Sequence, residues 1–235
     1  MSKAPNPRNP AGKKHRFNKP WMNEHVNDHW VQEAQRLGYR SRAAFKLAEL
    51  ADKDKLLRPG MTVVDLGAAP GSWCQVLRQR LGSRARIVAL DLLPMDPVAG
   101  VHVVQGDFGD DAVMRAVEAS LSGGKAELVL SDLAPNISGI ESADQAKSVY
   151  LGELALDFAV RCLQPGGDLV VKAFQGEGFA EFHRLMQGHF DKVYVRKPKA
   201  SRDRSREVYL VGKRRVELLP DGDNRDRLAQ EGPRG

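Results

Sequence analysis

The sequence of 235 residues has no apolar run that approaches the roughly 18 residues a membrane-spanning helix needs. We therefore expect no contact with a membrane. It has only two cysteines, Cys74 and Cys162, and each lies in an apolar helical pattern. Two such positions supply neither a metal-binding spacing nor a disulfide framework. They predict a protein of a reducing compartment, the cytoplasm, that needs no metal ion.

Sequence signatures of other enzyme classes are missing too. The segment Thr62 to Trp73 reads T-V-V-D-L-G-A-A-P-G-S-W, with Ala69 where the dinucleotide fingerprint G-x-G-x-x-G has its second glycine. This disfavours a nicotinamide-dependent dehydrogenase. The segment S-D-L-A-P-N differs from the Asn/Asp-Pro-Pro-aromatic run of enzymes that methylate base amines. Neither cysteine is placed as the nucleophile that cytosine C5 methylation requires, and both are better interpreted as small core residues.

Positive charge is concentrated in two segments. The net charge is +6, yet residues 1–20 hold six Lys/Arg and no acid, and residues 196–206 hold six Lys/Arg and a single Asp. The rest of the chain is therefore acidic. Concentrated positive charge is the electrostatic requirement for binding a polyanion such as nucleic acid. Solvated charge that only serves solubility is the alternative.

Composition predicts three parts along the chain. Residues 1–22 are rich in Pro, Asn and Lys and predict a disordered basic arm. Residues 23–213 have the length and apolar content of one folded α/β domain. Residues 214–235 predict a flexible tail.

Helical and strand patterns alternate between these tails. Helices are predicted at 28–37, 42–53, 72–81, 110–121, 143–163 and 178–188, and strands at 62–66, 86–91, 101–105, 127–132, 168–173, 192–196 and 207–212. Alternating units predict a mostly parallel sheet with helices on both faces, and the last two strands predict an antiparallel edge hairpin. This is the seven-stranded layout of Rossmann-like class I methyltransferases that use S-adenosylmethionine.

Acidic residues end or follow the first three predicted strands, at the edge where α/β sheets bind cofactors. Gly67 and Gly71 permit the tight turn after the first strand, and Ala69 suits a ligand without a pyrophosphate, such as S-adenosylmethionine. The predicted contacts are Asp65 for the methionine end, Asp91 for the ribose hydroxyls, Asp107 for the adenine amino group, and Phe108 or Leu92 against the adenine ring. Taken singly, each acid could instead cap the following helix.

Four residues, Lys46, Asp132, Lys172 and Glu207, have the make-up of a site that deprotonates a sugar hydroxyl. Lys172 ends the apolar run D-L-V-V-K-A-F, where a lysine is out of place unless it is paired or functional. A structural salt bridge to Asp132 is the alternative. Desolvation and Lys46 would favour the neutral amine of Lys172, whereas both carboxylates favour its ammonium form, so the sequence leaves this balance open.

Together these motifs resemble the FtsJ/RrmJ family, the bacterial 23S ribosomal RNA (uridine-2′-O)-methyltransferases. The resemblance runs from about Trp30 to Lys213, through R-S-R-A-A-F-K-L, V-V-D-L-G-A-A-P-G-S-W, Q-G-D-F and V-V-K-A-F-Q-G-E-G-F. It implies that Lys46, Asp132, Lys172 and Glu207 form the catalytic tetrad, with Lys172 as the proton acceptor. It also implies cofactor contacts at Gly71, Trp73, Asp91, Asp107 and Asp132. Where family members often have Gly-Gly-Trp, this chain has Gly71-Ser72-Trp73, which we expect to be tolerated.

The resemblance further implies a uridine in 23S ribosomal RNA of the large (50S) subunit as the methyl acceptor, S-adenosylhomocysteine as the product, and a monomeric enzyme that supports ribosome assembly. Cationic residues precede Lys46 and Glu207, and phosphate contacts of this kind position a strand. The predicted RNA contacts are Arg36, Arg40, Arg42, Arg196, Lys197, Lys199, Arg202, Arg204 and Arg206. Two alternatives stay open: a transfer RNA or messenger cap as target, and an assembly factor that uses the cofactor only structurally.

Overall fold

Each predicted helix and strand is present, with bounds that differ from the predicted ones by a few residues. The computed structural model describes residues 28–136, 138–202 and 204–217, so the predicted basic arm and most of the predicted tail lie outside it. The helices are α1 (His29–Arg36), α2 (Ala43–Asp54), α3 (Ser72–Leu81), α4 (Asp111–Ser120), α5 (Glu141–Cys162) and α6 (Phe179–His189). The strands are β1 (Thr62–Leu66), β2 (Arg86–Asp91), β3 (Val101–Gln105), β4 (Ala126–Ser131), β5 (Leu163–Phe174), β6 (Phe190–Arg196) and β7 (Glu207–Arg215).

The seven strands form one sheet in the order β3-β2-β1-β4-β5-β7-β6. Strands β1 to β5 pair in parallel, whereas β7 is antiparallel to both β5 and β6. The order reverses between β1 and β4, which places the ligand-binding edge of such a sheet at the ends of those strands. The predicted fold, including the antiparallel edge hairpin, is confirmed.

Helices cover both faces of the sheet, and for that reason its central strands are apolar on both sides. One face packs against α4, α5 and α6, with Phe158 and Met186 at its centre. The other packs against α2 and α3 through Leu47 and Leu77. None of the helices in the described ranges combines the length and apolar character that crossing a bilayer requires.

The strand β5 differs most from its prediction. Pro165, Gly166 and Gly167 predict a turn that separates the helix from the strand, but β5 begins earlier, at Leu163. Leu163 pairs with Ala126, and the next pair joins Asp168 to Leu128, so the turn is an irregularity inside the strand. Gly166 takes a positive φ of 78° there, a conformation that glycine adopts easily. At the far end of the chain, β7 continues three residues past its predicted end, because Arg215 still pairs with Phe190.

Candidate active site

The sheet brings the four predicted catalytic residues to one edge. Asp132 directly follows β4, and Lys172 lies near the end of the neighbouring strand β5. Because β7 runs antiparallel to β5, its first residue, Glu207, pairs with Phe174 at the same edge. Lys46 reaches this edge from α2, where it is almost fully buried.

Two ion pairs make up the cluster. The Lys172 Nζ atom donates a hydrogen bond to the backbone oxygen of Asp132 at 2.6 Å and lies 3.1 Å from its Oδ1 atom. The Lys46 Nζ atom donates to Oε1 of Glu207 at 2.6 Å. Both amines are largely shielded from water, with 8% of the Lys172 side chain and 10% of the Lys46 side chain exposed. The salt bridge between Lys172 and Asp132, given above as the alternative to a functional role of Lys172, is therefore present within the cluster.

Tyr209 joins the two pairs and was not predicted from the sequence. Its hydroxyl donates to Oδ1 of Asp132 at 2.6 Å and accepts from Nζ of Lys46 at 3.4 Å. Burial, and then the nearby carboxylates of Asp132 and Glu207, raise the pKa of this phenol well above its usual value, so it stays neutral. The signal was present in the sequence, because residues two apart on a strand share a face, and Tyr209 follows Glu207 by two positions.

Two serines hold Glu207 in place, and these too were not predicted. The Ser201 hydroxyl donates to Oε1 of Glu207 at 2.8 Å, and the backbone N–H of Glu207 donates to Oγ of Ser205 at 3.1 Å. Ser201 is buried. The carboxylate that pairs with Lys46 is therefore fixed by the loop between β6 and β7.

The turn after β1 requires glycine at two positions. Gly67 has a φ of 78°, and a Cβ atom there would lie 2.9 Å from the backbone nitrogen of Leu133. Gly71 has a φ of 102°, and a Cβ atom would lie 2.5 Å from Nη1 of Arg40 and 2.8 Å from Sδ of Met95. Both are conformations that other residues adopt only with strain. The turn therefore brings the start of α3 close to the ends of β1 and β4.

Trp73 anchors the start of α3 through its side chain. Its ring is buried, and its Nε1 atom donates to the backbone oxygen of Ala43 at 2.8 Å. Trp73 lies in the first turn of α3, whose N–H groups lack carbonyl partners within the helix and can bind an anionic group such as a carboxylate. Contact of Trp73 with a ligand therefore remains a prediction. We expect its backbone N–H to make that contact, while the indole ring anchors the start of α3.

Asp91 connects the cofactor turn to the loop after β2. Its Oδ2 atom accepts from the N–H of Ala69 at 2.8 Å, and its Oδ1 atom accepts from the N–H of Leu93 at 2.8 Å. A carboxylate oxygen can accept a second hydrogen bond, so these contacts are compatible with the predicted binding of ribose hydroxyls. Asp107 accepts similarly from the N–H of Gly109 at 2.9 Å.

Leu92 and Phe108 were the alternatives for the adenine ring, and the structure separates them. Phe108 is buried and its ring packs edge-on against Phe158, with the centroids 6.2 Å apart. Leu92 has 58% of its surface exposed beside Asp91. The Leu92 side chain is therefore the more accessible of the two, and contact of either residue with the adenine ring stays a prediction.

Asp65 is fully buried beneath the turn. The Cys74 thiol donates to its Oδ2 atom at 3.2 Å, whereas Oδ1 has no hydrogen-bond partner among the described residues. Burial, together with the nearby carboxylates of Asp132 and Asp91, raises the pKa of Asp65 to about 7, against the lowering effect of the Cys74 hydrogen bond. Three carboxyl groups thus lie near one another at this corner, which suits a cationic ligand.

Neither thiol has the features of a nucleophile. Cys74 and Cys162 are both free and buried. Burial, and then the neighbouring carboxylate of Asp65 or Glu118, raises the pKa of Cys74 far above its usual range and that of Cys162 to about 12. A thiol reacts as its thiolate, so both cysteines are inert at neutral pH. The described part of the chain holds no group of three or more His, Cys, Asp or Glu side chains arranged for a metal ion.

The predicted RNA contacts occupy different settings. Arg42 is paired with Asp28 and is mostly buried. Arg196 pairs with Asp54 at 2.6 Å and lies over the Tyr194 ring at 4.5 Å. The more exposed residues are Arg36, which pairs with Glu33, Lys197, which donates to the Ser205 carbonyl, Arg206, which pairs with Glu141, and Lys199 and Arg204. Arg202 is half-buried.

Arg40 has a structural role that was not predicted from the sequence. Its Nη1 atom donates to the carbonyls of Pro70 and Asp96 at 2.8 and 2.7 Å, and its Nη2 atom donates to that of Pro97 at 2.9 Å. These contacts connect the segment before α2 to the cofactor turn and to the loop after β2. Contact of Arg40 with RNA stays a prediction, while its hold on these loops is a feature of the structure.

The chain matches known proteins over nearly the whole described region. The family profile described as FtsJ-like methyltransferase matches residues 39–215. The ribosomal RNA large subunit methyltransferase E of Azoarcus sp. (strain BH72) is 62% identical over 200 residues, which are 85% of this chain and 98% of that relative. The protein of the same name from Alkalilimnicola ehrlichii is 58% identical over 193 residues, 82% of this chain and 92% of its own.

A solved structure agrees with these matches. It is a Plasmodium falciparum protein described as a candidate ribosomal RNA methyltransferase, 32% identical to this chain. The two superpose with a TM-score of 0.68, over 77% of this chain and 100% of the other. Sequence and fold therefore lead to one conclusion, which confirms the resemblance noted from the motifs: the chain belongs to the FtsJ-like methyltransferase family.

Proposed function

We propose that this enzyme transfers the methyl group of S-adenosylmethionine to the ribose 2′-oxygen of a uridine in 23S ribosomal RNA of the large (50S) subunit and thereby supports ribosome assembly. Relatives that are more than half identical over most of the chain carry the name ribosomal RNA large subunit methyltransferase E. The observation that carries the proposal is the position of the Lys172 amine, which two oxygens of Asp132 orient beside the cofactor turn.

The residues around the turn fit S-adenosylmethionine. When bound, it supplies an electrophilic methyl group on a sulfonium centre. The first turn of α3 offers N–H groups for its carboxylate, and the carboxyl groups of Asp65, Asp91 and Asp132 favour its positive charges. Asp91 is available to the ribose hydroxyls, Asp107 to the adenine amino group, and exposed Leu92 to the adenine ring.

Lys172 is the proposed proton acceptor for the 2′-hydroxyl. A neutral amine that donates its two hydrogens to the backbone oxygen and the carboxylate of Asp132 directs its lone pair away from both. A hydroxyl in that direction would transfer its proton to Nζ as the oxygen attacks. The carboxylate of Asp132, which already lies next to Nζ, then stabilises the ammonium that results.

Lys46, Glu207 and Tyr209 complete the arrangement. Lys46 places a positive charge near the oxygen that becomes negative, and Glu207 holds that amine in position. Tyr209 contacts both Lys46 and Asp132, so it fixes the spacing between the two ion pairs. Holding the reacting groups close together and correctly oriented accounts for a large part of the rate acceleration at such a site.

Replacement of Lys172 tests the mechanism. We expect Lys172→Met to lower the methylation rate by at least 100-fold, the scale of general base catalysis, while cofactor affinity stays near the wild-type value. Lys213→Met, which removes a partly buried lysine paired with buried Asp168 at the other end of β7, controls for loss of a shielded ion pair. Turnover of Lys172→Met near the wild-type rate, with cofactor bound, would show that Lys172 is not the base.

The choice of substrate needs a separate measurement. Mapping of 2′-O-methyl sites in ribosomal RNA, with and without this protein, should reveal one uridine of 23S RNA that depends on it. Methyl incorporation into large subunits, naked ribosomal RNA and transfer RNA distinguishes the remaining targets. A catalytically inactive variant that restores normal growth would instead support an assembly factor.

Three further properties belong to this proposal. We expect the enzyme to work in the cytoplasm, as a monomer and without a metal ion. Sedimentation of the purified protein should give a mass near 25.9 kDa, and methylation should be unchanged by a chelator. A stable dimer, or activity that is lost with EDTA and restored by a divalent cation, would contradict the respective expectation.

A further inference from the structure

A cavity of about 290 Å³ lies beside the catalytic cluster. Three of the residues in its wall are close in sequence to tetrad residues. Phe174 follows Lys172 by two positions, Arg206 directly precedes Glu207, and Pro135 follows Asp132 by three. The rest of the wall comes from the start of α5 and the residues before it, namely Gly139, Glu141, Asp144, Gln145 and Ser148. Segments that carry three tetrad residues therefore form part of the cavity wall.

The cavity lies close enough to the amine to be reached by the same nucleotide. Lys172 and Phe174 are two residues apart on β5, so their side chains point to the same face of the sheet and are separated by about 7 Å along the strand. Glu207 pairs directly with Phe174 across the strands. A ribose hydroxyl at Lys172 would thus leave the attached base near Phe174.

The charges around the cavity favour a neutral occupant over a phosphate. Arg206 is already paired with Glu141 at 2.8 Å. The Asp144 carboxylate accepts from the hydroxyl and the N–H of Ser138 and from the N–H of Gly139, and these hydrogen bonds keep the pKa of Asp144 below its usual value. Two ionised carboxylates would repel a phosphate, whereas a base is uncharged and can stack on an aromatic ring or a guanidinium plane.

One wall of the cavity is held rigidly. The Nε2 atom of buried Gln145 donates to the carbonyls of Phe174 and Glu177 at 3.0 and 2.9 Å. Gln145 also borders a second cavity of about 360 Å³, whose walls include Glu153 and Glu177. The wall of that neighbour contains two acids but no basic residue, so it is less suited to RNA than the cavity that Arg206 borders. The Gln145 contact fixes the backbone of Phe174, which a stacking platform requires.

We propose that this cavity, formed by Phe174, Arg206, Pro135 and the start of α5, binds the pyrimidine base of the nucleotide whose ribose is methylated. The base lies against Phe174, and the Arg206–Glu141 pair closes over its outer edge. The inference rests on the proposed function, because it assigns the base-binding part of the same substrate. It gives the enzyme a means of holding a nucleotide that is splayed out of its helix.

A comparison of two RNA substrates with two enzymes tests the proposal. One RNA has the target uridine, and the other has an abasic ribose there that keeps its 2′-hydroxyl. Base–aromatic stacking has an effect of roughly 10-fold to 100-fold on affinity. We therefore expect wild-type kcat/KM to fall by that factor on the abasic RNA. Phe174→Ala should lose a similar factor on the uridine RNA and almost nothing more on the abasic one.

If Phe174→Ala discriminates between the two RNAs as strongly as the wild type does, the base does not bind this cavity. Arg206→Ala is the second variant, because the Arg206 side chain is half exposed and surface substitutions of this kind change stability little. It should reduce the discrimination in the same direction. If both variants discriminate between the two RNAs as strongly as the wild type does, the proposal is overturned, even if one variant is poorly folded.

Arg214→Ala is the matched control. Arg214 is also an exposed arginine of the β7 region in a surface ion pair, 2.8 Å from Asp191, but it lies at the opposite end of the strand. It should leave kcat/KM unchanged on both RNAs. If the wild type makes no 2′-O-methyl product even on the uridine RNA, the proposed function itself fails. Full activity on uridine RNA with unchanged discrimination by the variants refutes the cavity assignment alone.

Discussion

Asp65 is a carboxylic acid enclosed beneath the cofactor turn, with one oxygen that has no hydrogen-bond partner in the described structure. Its pKa of about 7 lies far above the usual value of 3.8, chiefly because burial disfavours the charged form. At a pH between these two pKa values, Asp65 keeps its proton in the folded protein but has lost it in the unfolded chain. The contribution of Asp65 to stability is therefore complete at low pH, falls as the pH rises through this range, and stays low above it.

This titration predicts a pH-dependent effect of Asp65→Asn. The variant cannot ionise, so it should gain about 2 to 3 kcal/mol of unfolding free energy relative to the wild type between pH 5 and pH 8, on the scale of about 1.4 kcal/mol per pKa unit. Denaturant unfolding at several pH values measures this. Asp157→Asn, which changes an exposed aspartate of α5, should follow the wild-type curve. Parallel curves for Asp65→Asn and the wild type would contradict the raised pKa.

Individual residues also show how far the sequence can predict the site. Lys172 and Glu207 were recognisable because each has a distinctive place in a strand pattern, and the structure brings them to one edge. Ser201 and Arg40 were not recognised as positioning residues, because their partners lie in the fold and not in the local pattern. The carbonyls that Arg40 contacts belong to two loops that follow different strands.

At the scale of elements, the helices and strands could be predicted because period and apolar content agree along nearly all of the chain. The exception is β5, where Pro165 and two glycines resemble a loop although Leu163 before them pairs with β4. Leu163 pairs with a residue of β4 that lies nearly forty positions earlier in the chain. A local sequence pattern cannot indicate such a distant partner. The order of β7 between β5 and β6 likewise follows from long-range pairing.

The connection between α1 and α2 is attached to the cofactor site through Arg40, and this attachment gives a prediction. Arg40→Lys keeps the charge but cannot reach all three carbonyls with a single amine. Hydrogen bonds that involve a charged group contribute about 1.5 to 3 kcal/mol each, so loss of the loop contacts should weaken S-adenosylmethionine binding on the order of 10-fold. RNA affinity should hardly change, because the charge is retained.

Calorimetric titration with the cofactor and filter binding of RNA measure the two affinities of Arg40→Lys. Arg36→Lys is the matched control, since Arg36 lies in the same region of the chain but, among the described residues, forms its ion pair with Glu33 on its own helix. It should leave cofactor affinity unchanged. An Arg40→Lys protein with normal cofactor affinity and weakened RNA binding would show that Arg40 is an RNA contact and that the loops hold without it.

On the scale of the whole molecule, a chain of net charge +6 carries its excess positive charge in a few segments and is acidic elsewhere. One of them, the loop between β6 and β7, contains Ser201 and Ser205, which hold Glu207, and also exposed Lys199. The backbone N–H of Lys199 donates to Glu49 of α2 at 2.8 Å, so the loop is tied to the helix that carries Lys46. The loop that we expect to attract RNA is thus also the one that positions the partner of the Lys46 amine.

Lys199→Ala should therefore weaken RNA binding in a salt-dependent way. Each phosphate contact contributes about 0.7 to 0.9 to the slope of log K against log salt concentration. We expect Lys199→Ala to reduce that slope by about 1 while cofactor affinity and thermal stability stay near their wild-type values. Lys192→Ala removes an equally exposed lysine from the edge strand β6, away from the catalytic edge, and should leave the slope unchanged. Equal slopes for the wild type and both variants would mean that RNA does not cross the β6–β7 loop, and that the phosphates next to the methylated ribose lie elsewhere on the protein.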